Sequence, residues 1–278
     1  MNVAALIGSP VGHSLSPAIH RAGFDAAGVD WSYVSFDVEP GRADAALDAM
    51  RTLGIAGLSV TTPHKEQVAA CVDGLAQAAA ALRSVNTVVV ENDGRLVGHS
   101  TDGHGFIASL EAEGISICGI HVAVLGAGPA ARSIVSALDR AGAGSIVVIN
   151  RTPSKAEDVV GVAPITARAG GPDATGDLVK ADLIVNATSV GFNTDELPLD
   201  PAVLRLEHLV ADLVYHPLDT ALLRAARDVG ARTFDGLGML VHQAALQQHL
   251  WLGEMPDVGI MRTAAESELA RRPTAIDA

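Results

Sequence analysis

The glycine-rich turn at residues 126–131 constrains the fold of this 278-residue chain more than any other feature. The run Gly126-Ala127-Gly128-Pro129-Ala130-Ala131 follows the apolar segment His121–Leu125 and opens a helical pattern that extends to about Arg140. In this context the first glycine permits a tight turn and the second lets the backbone approach a pyrophosphate. The pattern predicts a dinucleotide-binding unit, although a plain strand–helix turn could also use these residues.

The next predicted strand, Ser145–Ile149, ends in Asn150-Arg151-Thr152-Pro153. Units that bind NAD usually place Asp or Glu there to hold the ribose 2′-hydroxyl, and this segment has neither. Arg151 can instead bind a 2′-phosphate, and Thr152 can cap the helix that begins at Pro153. The alternative is that Arg151 is a surface charge and Thr152 only a cap. We expect NADP(H) as the cofactor.

Strand-like and helix-like segments alternate along the chain, which predicts an α/β architecture with mostly parallel strands. Hydrophobic residues make up 49% of the sequence and aromatic residues only 3%, so the cores should be aliphatic. A hairpin of Thr87–Val90 and Arg95–Gly98 is expected around Asn92-Asp93-Gly94, because Asp-Gly favours a tight turn. The other predicted segments are the strands Val3–Ile7, Ser32–Val38, Gly57–Val60, Asp182–Asn186 and Leu209–Asp212, a helix near Asp102, and the helices Pro17–Ala27, Arg42–Leu53, Pro63–Leu75 and Met239–Leu252, the last taken as the final one.

Charge and composition exclude several classes of partner. The formal net charge is −13 and no Lys/Arg cluster is present, which argues against nucleic acid and anionic membranes. Cys71 and Cys118 lack the spacing of metal ligands and are too few for a disulfide framework. No apolar stretch reaches the roughly 18 residues that a membrane span needs, and the first residues do not resemble a signal peptide. We expect a cytoplasmic protein without a metal.

Two hydroxyls precede the first predicted helix, in Ser14-Leu15-Ser16-Pro17. Ser16 is expected to cap the helix, with Pro17 at its first position. Hydroxyls beside a helix N-terminus suit a carboxylate ligand, because the helix dipole favours an anion there. Capping explains Ser16 in part but does not explain Ser14.

A lysine stands at an unfavourable place in Thr61-Thr62-Pro63-His64-Lys65. With Thr62 as the expected cap, Lys65 falls in the first helical turn, where the dipole disfavours a cation. Lys65 is therefore a candidate for proton transfer, with a surface lysine as the alternative. Asp102, which follows the hairpin at a helix start, is its candidate partner or merely an N-cap, and Asn86 offers both a donor and an acceptor.

In order and spacing, these segments resemble the shikimate dehydrogenase family along nearly the whole chain. The motifs are Gly8-Ser9-Pro10-Val11-Gly12-His13-Ser14-Leu15-Ser16-Pro17 with His20, Ser59-Val60-Thr61-Thr62-Pro63-His64-Lys65, Val85-Asn86-Thr87, Ser100-Thr101-Asp102-Gly103, the glycine turn, Asn150-Arg151-Thr152, Asn186-Ala187-Thr188-Ser189-Val190-Gly191, Asp212-Leu213-Val214-Tyr215-His216-Pro217 and Gly236-Leu237-Gly238-Met239-Leu240-Val241-His242-Gln243.

The resemblance implies an oxidoreductase of aromatic amino-acid biosynthesis that reversibly reduces 3-dehydroshikimate to shikimate with NADPH. Lys65 would donate the proton to the carbonyl oxygen, and Asp102 would position and tune it. Substrate contacts are implied for Ser14, Ser16, Thr61, Lys65, Asn86, Asp102, Tyr215 and Gln243, with the two serines on the carboxylate. Cofactor contacts are implied for Gly126, Ala127, Gly128, Pro129, Ala130, Asn150, Arg151, Thr152, Thr188, Ser189, Leu213, Gly236 and Met239, the last near the nicotinamide.

The resemblance also implies two domains. Residues 1–101 and 237–278 would form an α/β substrate-binding and catalytic domain, to which the C-terminal helices return. Residues 102–236 would form a Rossmann-type NADP-binding domain. A small-molecule substrate is expected, and the sequence leaves a monomer or a homodimer open.

Four positions depart from the family pattern. Ser59, Ser100 and Arg21 stand where asparagine is usual, and Pro129 replaces a glycine. A dehydrogenase of quinate/shikimate or of an aminoshikimate is therefore an alternative, and a non-catalytic regulator on the same fold is another. A short-chain dehydrogenase is excluded because neither Tyr33 nor Tyr215 has a lysine four residues later.

Overall fold

The computed structural model describes residues 1–171 and 173–272, and the fold is mixed α/β, as the alternating pattern predicts. The chain divides into two compact units. The first comprises Met1–Asp102 and Val241–Arg271, and the second comprises Gly103–Leu240. The predicted domain segment 237–278 ends in residues 273–278, which lie outside the described part of the chain.

The first unit holds six strands and several short helices. Its elements before residue 102 are β1 (Asn2–Gly8), α1 (Ser16–Ala26), β2 (Trp31–Asp37), α2 (Ala43–Leu53), β3 (Gly57–Val60), α3 (Lys65–Cys71), β4 (Gly74–Leu75), α4 (Gln77–Leu82), β5 (Thr87–Val90) and β6 (Leu96–His99).

The second unit holds the other six strands. Its elements are α5 (Asp102–Ala112), β7 (His121–Leu125), α6 (Pro129–Arg140), β8 (Ser145–Ile149), α7 (Pro153–Val160), β9 (Ala167–Gly170), α8 (Thr175–Lys180), β10 (Leu183–Asn186), a 3-10 turn (Pro201–Val203), β11 (Leu209–Asp212), α9 (Ala221–Asp228) and β12 (Arg232–Phe234). The chain continues through α10 (Gly236–Leu252) and α11 (Val258–Ala270), which from Val241 onward belong to the first unit.

The sheet of the first unit is mixed. Its order is β2-β1-β3-β5-β6-β4, with β1 parallel to β2 and β3, and with β5 antiparallel to β3 and β6. The β5–β6 pairing confirms the predicted hairpin. Because β5 is reversed, the start of β5 lies at the same edge as the ends of β3 and β6.

The sheet of the second unit is parallel throughout, in the order β12-β11-β10-β7-β8-β9. Read from β9, this is the 3-2-1-4-5-6 arrangement of a dinucleotide-binding fold. The strand order reverses between β7 and β10, and ligands of such sheets bind beyond the strand ends at that point. Strands β7 and β10 are almost wholly buried and aliphatic, as expected of a sheet covered on both faces.

The predicted end of one helix and the predicted position of the last helix are wrong. The helix predicted at Pro63–Leu75 ends at Cys71, because the backbone of Asp73 donates to the Leu96 carbonyl while its carboxylate accepts from the Leu96 N–H at 2.7 Å. This pairing draws the segment into the sheet as β4. Helix α10 is not the last, since α11 follows it with the Asp257 carboxylate accepting from the Ile260 N–H at its start.

None of the helices within the described residues is both long and apolar enough to cross a membrane.

Candidate active site and cofactor site

The candidate catalytic side chains of the first unit come from one edge of its sheet. Thr61 follows β3, Asn86 precedes β5 and Asp102 follows β6. The reversed β5 therefore brings together three segments that are distant in the sequence.

Lys65 and Asp102 form a close ion pair, with 2.6 Å between the lysine Nζ and the aspartate Oδ2. Lys65 is the first residue of α3 and Asp102 the first of α5, so each stands at a helix N-terminus. Their side chains are 19% and 13% exposed, which leaves a limited opening to solvent. A partly buried ammonium group held by a carboxylate is arranged to exchange a proton with a ligand.

Asn86 holds the second oxygen of the same carboxylate. Its Nδ2 donates to Asp102 Oδ1 at 2.7 Å and lies 3.4 Å from the Oε1 of Gln243. Its Oδ1 accepts from the Thr101 N–H at 2.8 Å and from the Thr87 hydroxyl at 2.8 Å. Four of the residues implied by the resemblance, Lys65, Asp102, Asn86 and Gln243, thus lie in one hydrogen-bonded group.

The two serines of the first motif are arranged differently from the prediction. Helix α1 begins at Ser16 with Leu15 as its N-cap, so the prediction of Ser16 as the cap is wrong. The Ser14 hydroxyl accepts from the Ser16 N–H at 3.1 Å, which explains Ser14 through a local turn. Ser16 itself is buried.

The loops after β1 and β3 are in direct contact. A Cβ on Gly8 would lie 2.3 Å from the Thr61 methyl group, so only glycine permits this approach. The Ser9 N–H donates to the Thr62 carbonyl at 3.0 Å. The sequence predicts Thr62 as the cap of α3, but the N-cap is His64, whose buried ring bonds the Val38 carbonyl at 2.8 Å. The cap prediction fails because Thr62 lies in a turn and the helix begins only at Lys65.

A buried polar cluster beneath these residues escaped the sequence prediction. His20 stacks on Tyr33 with 4.3 Å between ring centroids, and its Nε2 donates to the Oε1 of Gln247 at 3.0 Å. Burial lowers the pKa of His20 to about 3, and burial raises the pKa of the Tyr33 phenol. The ring of His20 is therefore neutral.

The glycine turn of the second unit fits a dinucleotide. Gly126 adopts a left-handed φ of 104°, and a Cβ there would lie 2.9 Å from the Ala187 carbonyl oxygen. Gly128 is the N-cap of α6 and has open space where a Cβ would be. Pro129 occupies the first helical position, where no N–H is needed. Ala127 and Ala130 complete the turn, which lies at the β7/β10 reversal.

Three further loops implied in cofactor binding meet at the same sheet edge. Gly126 approaches Thr188, and a Cβ on Gly236 would lie 2.4 Å from the Leu213 carbonyl oxygen. Ser189 is exposed beside Thr188. The Leu213 N–H donates to the Asn186 carbonyl at 3.0 Å, so the loops after β10 and β11 adjoin one another. Thr188 and Ser189 follow β10, Leu213 follows β11 and Gly236 follows β12, all of them parallel strands.

A buried carboxylate supports two of those loops. Asp212 accepts from the Asn186 amide at 2.8 Å, the Thr220 hydroxyl at 2.7 Å and the Val214 N–H at 3.0 Å. Burial raises the pKa of Asp212. The Asn186 Oδ1 in turn accepts from the Thr188 hydroxyl at 2.7 Å, so the network fixes the loops that follow β10 and β11.

The loop that follows β8 carries the cationic side chain of Arg151 and no acidic residue between Asn150 and Thr152. Arg151 is exposed, and no carboxylate of the described residues pairs with it. The Asn150 Nδ2 donates to the Thr152 carbonyl at 2.9 Å, which orders the loop. Thr152 is the N-cap of α7, as predicted, although within the described chain no helix N–H donates to its hydroxyl. The guanidinium is available for a phosphate.

Tyr215 and Met239 are the other implied ligand contacts, and both belong to the second unit. Tyr215 follows β11 and is half-buried, and burial raises the pKa of its phenol. Met239 lies in the first turn of α10 and packs against the core of the second unit.

Three family models match the chain. The shikimate dehydrogenase substrate binding domain matches residues 6–88, shikimate/quinate 5-dehydrogenase matches residues 109–191, and the shikimate 5′-dehydrogenase C-terminal domain matches residues 236–266.

Curated relatives match over nearly the full length. The chain is 41% identical to a shikimate dehydrogenase (NADP(+)) from Symbiobacterium thermophilum, over 98% of this chain and 96% of the relative. It is 43% identical to one from Pyrococcus abyssi, over 98% of this chain and 100% of the relative.

Solved structures agree with the relatives. A shikimate dehydrogenase in complex with NADP+ superposes with a TM-score of 0.92 at 35% identity, over 97% of this chain and 96% of that one. One from Thermus thermophilus in complex with NADP(H) and shikimate gives 0.88 at 36% identity, over 96% and 99%. A quinate dehydrogenase from Corynebacterium glutamicum in complex with NAD gives 0.90 at 33% identity, over 96% and 99%.

The neutral His20 predicts an acid-sensitive fold. In the unfolded chain His20 binds a proton near its ordinary pKa of 6.5, whereas in the folded protein it does so only near 3. As the pH falls from 6.5 toward 3, this residue should therefore remove up to about 1.4 kcal/mol of unfolding free energy per pH unit. Urea unfolding at pH 7, 6 and 5 measures the slope, which should be shallower in His20→Gln.

The exposed His249 provides the control, since His249→Gln should keep the wild-type slope. An unchanged slope in His20→Gln would contradict the neutral, buried state of His20.

Proposed function

The chain belongs to the shikimate dehydrogenase family, and on that premise we propose that Lys65 and Asp102 carry the proton transfer of its reaction. The protein is an NADP-dependent oxidoreductase acting on a CH–OH group, and it interconverts 3-dehydroshikimate and shikimate. The single observation that carries the residue assignment is the 2.6 Å contact between Lys65 and Asp102 at the sheet edge.

Lys65 is proposed as the acid. When bound, NADPH supplies the hydride that the carbonyl carbon of 3-dehydroshikimate accepts. The Lys65 ammonium group gives its proton to the carbonyl oxygen, which becomes the hydroxyl of shikimate. In the reverse direction the neutral amine takes that proton back. Asp102 orients Nζ through its Oδ2 and offsets the ammonium charge.

The remaining substrate contacts are proposed from the family motifs. Ser14 and Ser16 would hold the carboxylate at the start of α1, where the helix dipole favours an anion. Ring hydroxyls would bond Thr61, Asn86, Asp102 and Gln243, and Tyr215 would be a further substrate contact. What supports this assignment is that Asn86, Asp102 and Gln243 already share hydrogen bonds.

The cofactor assignment uses the second unit. Gly126, Ala127, Gly128, Pro129 and Ala130 would receive the pyrophosphate at the start of α6, since helix N-termini favour anions. Arg151, with Asn150 and Thr152, would bind the 2′-phosphate. Thr188, Ser189, Leu213, Gly236 and Met239 would also contact the cofactor, with Met239 near the nicotinamide. Support comes from the open space at Gly128 and the unpaired Arg151 among the described residues.

Residues 1–101 and 237–278 are proposed as the substrate-binding domain, and residues 102–236 as the NADP-binding domain. The family matches at 6–88 and 236–266 and the compact units support this division. A cytoplasmic monomer or homodimer is proposed as well. The exposed, unpaired Cys71 and Cys118 suit a reducing compartment.

Two other functions are weaker. An NAD-using quinate dehydrogenase would be expected to carry an acid at the end of β8, where this chain has Asn150 and Arg151. A non-catalytic regulator would be expected to lack Lys65 or Asp102, and here both are present and in contact.

Absorbance at 340 nm with purified protein tests the proposal, with shikimate and quinate each combined with NADP+ and NAD+. Fast reduction with shikimate and NADP+ alone is the expected outcome. A preference for quinate or NAD+ would move the protein to a paralogous role. Absence of turnover in all four mixtures, with shikimate still bound, would favour the regulator.

Lys65→Ala should lower kcat by roughly 10²–10⁴-fold with a much smaller change in the KM for shikimate, because general acid–base catalysis contributes about that factor. Steady-state kinetics at saturating NADP+ gives both values. The exposed Lys180 supplies the control, and Lys180→Ala should retain wild-type turnover. Preserved kcat in Lys65→Ala would remove this residue from the chemistry.

Arg151→Ala should raise the KM for NADP+ by roughly ten- to a hundredfold, since a charge-assisted contact to the 2′-phosphate is lost. The KM for NAD+, which has no 2′-phosphate, should change little. The ratio of the KM for NADP+ to the KM for NAD+ is measured in the wild type and in the variant, and the NAD+ reaction serves as the control. Equal losses with both cofactors would rule out the 2′-phosphate assignment.

A further inference from the structure

The Lys65–Asp102 pair rests on a buried group of polar side chains, most of which lie outside the expected ligand contacts. We define the buried amide network as Tyr33, His20, Ser59, Gln247, Thr87 and Asn86. Gln247 is its centre, at 2% exposure on α10 in the first unit. Its hydrogen bonds go to neither Lys65 nor Asp102, yet it bonds Asn86, whose side chain holds Asp102.

Gln247 donates both of its amide protons, one to Thr87 at the start of β5 and one to Asn86, the residue before that strand. Its Nε2 donates to the Asn86 backbone carbonyl at 3.1 Å and to the Thr87 hydroxyl oxygen at 3.0 Å. Because Thr87 accepts from Gln247, its own proton is directed to the Asn86 Oδ1, 2.8 Å away. A second donor, the Thr101 N–H, faces the same oxygen.

These donors decide which way the Asn86 amide points. Its two ends are similar in shape and opposite in hydrogen-bonding character. With two donors on Oδ1, the Nδ2 end must face Asp102, where it donates to Oδ1 at 2.7 Å. The reversed amide would set an oxygen against the carboxylate and leave buried donors unpaired, which is costly. The other carboxylate oxygen is thereby left for Lys65.

The orientation of Gln247 is itself fixed from the opposite side. Its Oε1 accepts from the Ser59 hydroxyl at 2.7 Å and from His20 Nε2 at 3.0 Å. The Tyr33 phenol donates to the Ser59 oxygen at 2.7 Å, so the Ser59 proton goes to Gln247. Because Ser59 already makes Oε1 an acceptor, the single imidazole proton of His20 lies on Nε2 and also points to Gln247. The hydrogen bonds donated by Tyr33, Ser59, Gln247 and Thr87 therefore form a chain that leads to Asn86.

We propose that Gln247 is a positioning residue, which fixes the Asn86 amide and through it the orientation of Asp102 toward Lys65. This inference rests on the proposed roles of Lys65 and Asp102. It also gives Ser59 a role. The short serine hydroxyl accepts from Tyr33 and donates to Gln247, so the pair Tyr33 and Ser59 supplies the donor that Gln247 needs.

A comparison of Gln247→Met with Gln248→Met tests the proposal. The two glutamines are adjacent on α10 and similarly buried, but only Gln247 bonds Asn86 and Thr87. Gln247→Met should lower kcat for shikimate about tenfold or more and leave the KM for NADP+ within twofold. Gln248→Met should lower the unfolding midpoint in urea to a similar extent and keep kcat within about threefold.

The side-chain amide of Asn86 gives a readout independent of turnover. Selective ¹⁵N labelling of the six asparagines yields few resonances, and Asn86→Ala identifies the pair that belongs to Asn86. We expect these resonances to shift or broaden in Gln247→Met and to stay in place in Gln248→Met. The Gln247→Leu variant, which has a similar volume and neither donor, should match Gln247→Met and serves if the latter does not fold.

Unmoved Asn86 resonances in both Gln247 variants would overturn the proposal, whatever the activity. Equal kcat losses in Gln247→Met and Gln248→Met would overturn it too, because general packing would then be the cause. If the wild type does not oxidise shikimate, the proposed function fails while the resonances still decide the role of Gln247.

Discussion

A buried primary amide must satisfy two donors and one acceptor, and Asn86 meets this requirement with partners from several segments of the first unit. It is 3% exposed, and its side chain bonds Thr87, Thr101 and Asp102. An unpaired buried polar atom costs free energy comparable to a lost hydrogen bond, so these contacts are strongly coupled. The carboxylate that holds Lys65 is consequently placed by the core of the unit and not by a flexible loop.

Strand direction makes this arrangement possible. In a fully parallel sheet, only the carboxyl ends of strands would meet at the site edge. The reversed β5 adds an amino end, so the side chain of Asn86 enters the site while the hairpin returns the chain to Asp102. The short turn at Asn92-Asp93-Gly94 sets the β5–β6 register, in which Thr87 pairs with His99. Since His99 lies three residues before Asp102, this register fixes the distance between Asn86 and the Asp102 carboxylate.

Elements that neighbouring residues specify could be predicted from the sequence, whereas contacts between residues distant in the sequence could not. The glycine turn, the hairpin and the strands β7, β8 and β11 can be predicted because local sequence specifies them. The cap predictions at Ser16 and Thr62 are wrong, since the helices begin at Ser16 and Lys65 under the control of loop contacts. Gln247 carries no local signal. Its partners Asn86 and Ser59 lie more than a hundred residues away, and only the packing of α10 on the sheet brings them together.

The same two residue types meet again in the second unit, where Asn186 bonds Asp212 at 2.8 Å. The Asn86–Asp102 and Asn186–Asp212 pairs differ in their surroundings. Asp212 is 1% exposed, is bonded by neutral donors, and has no cation beside it among the described residues, so burial raises its pKa. Asp102 is partly open to solvent, and one of its carboxylate oxygens accepts from the Lys65 ammonium group. An asparagine at a strand end can therefore orient a carboxylate in either setting, and the neighbouring ammonium group and the opening to solvent are what make the first pair suited to proton transfer.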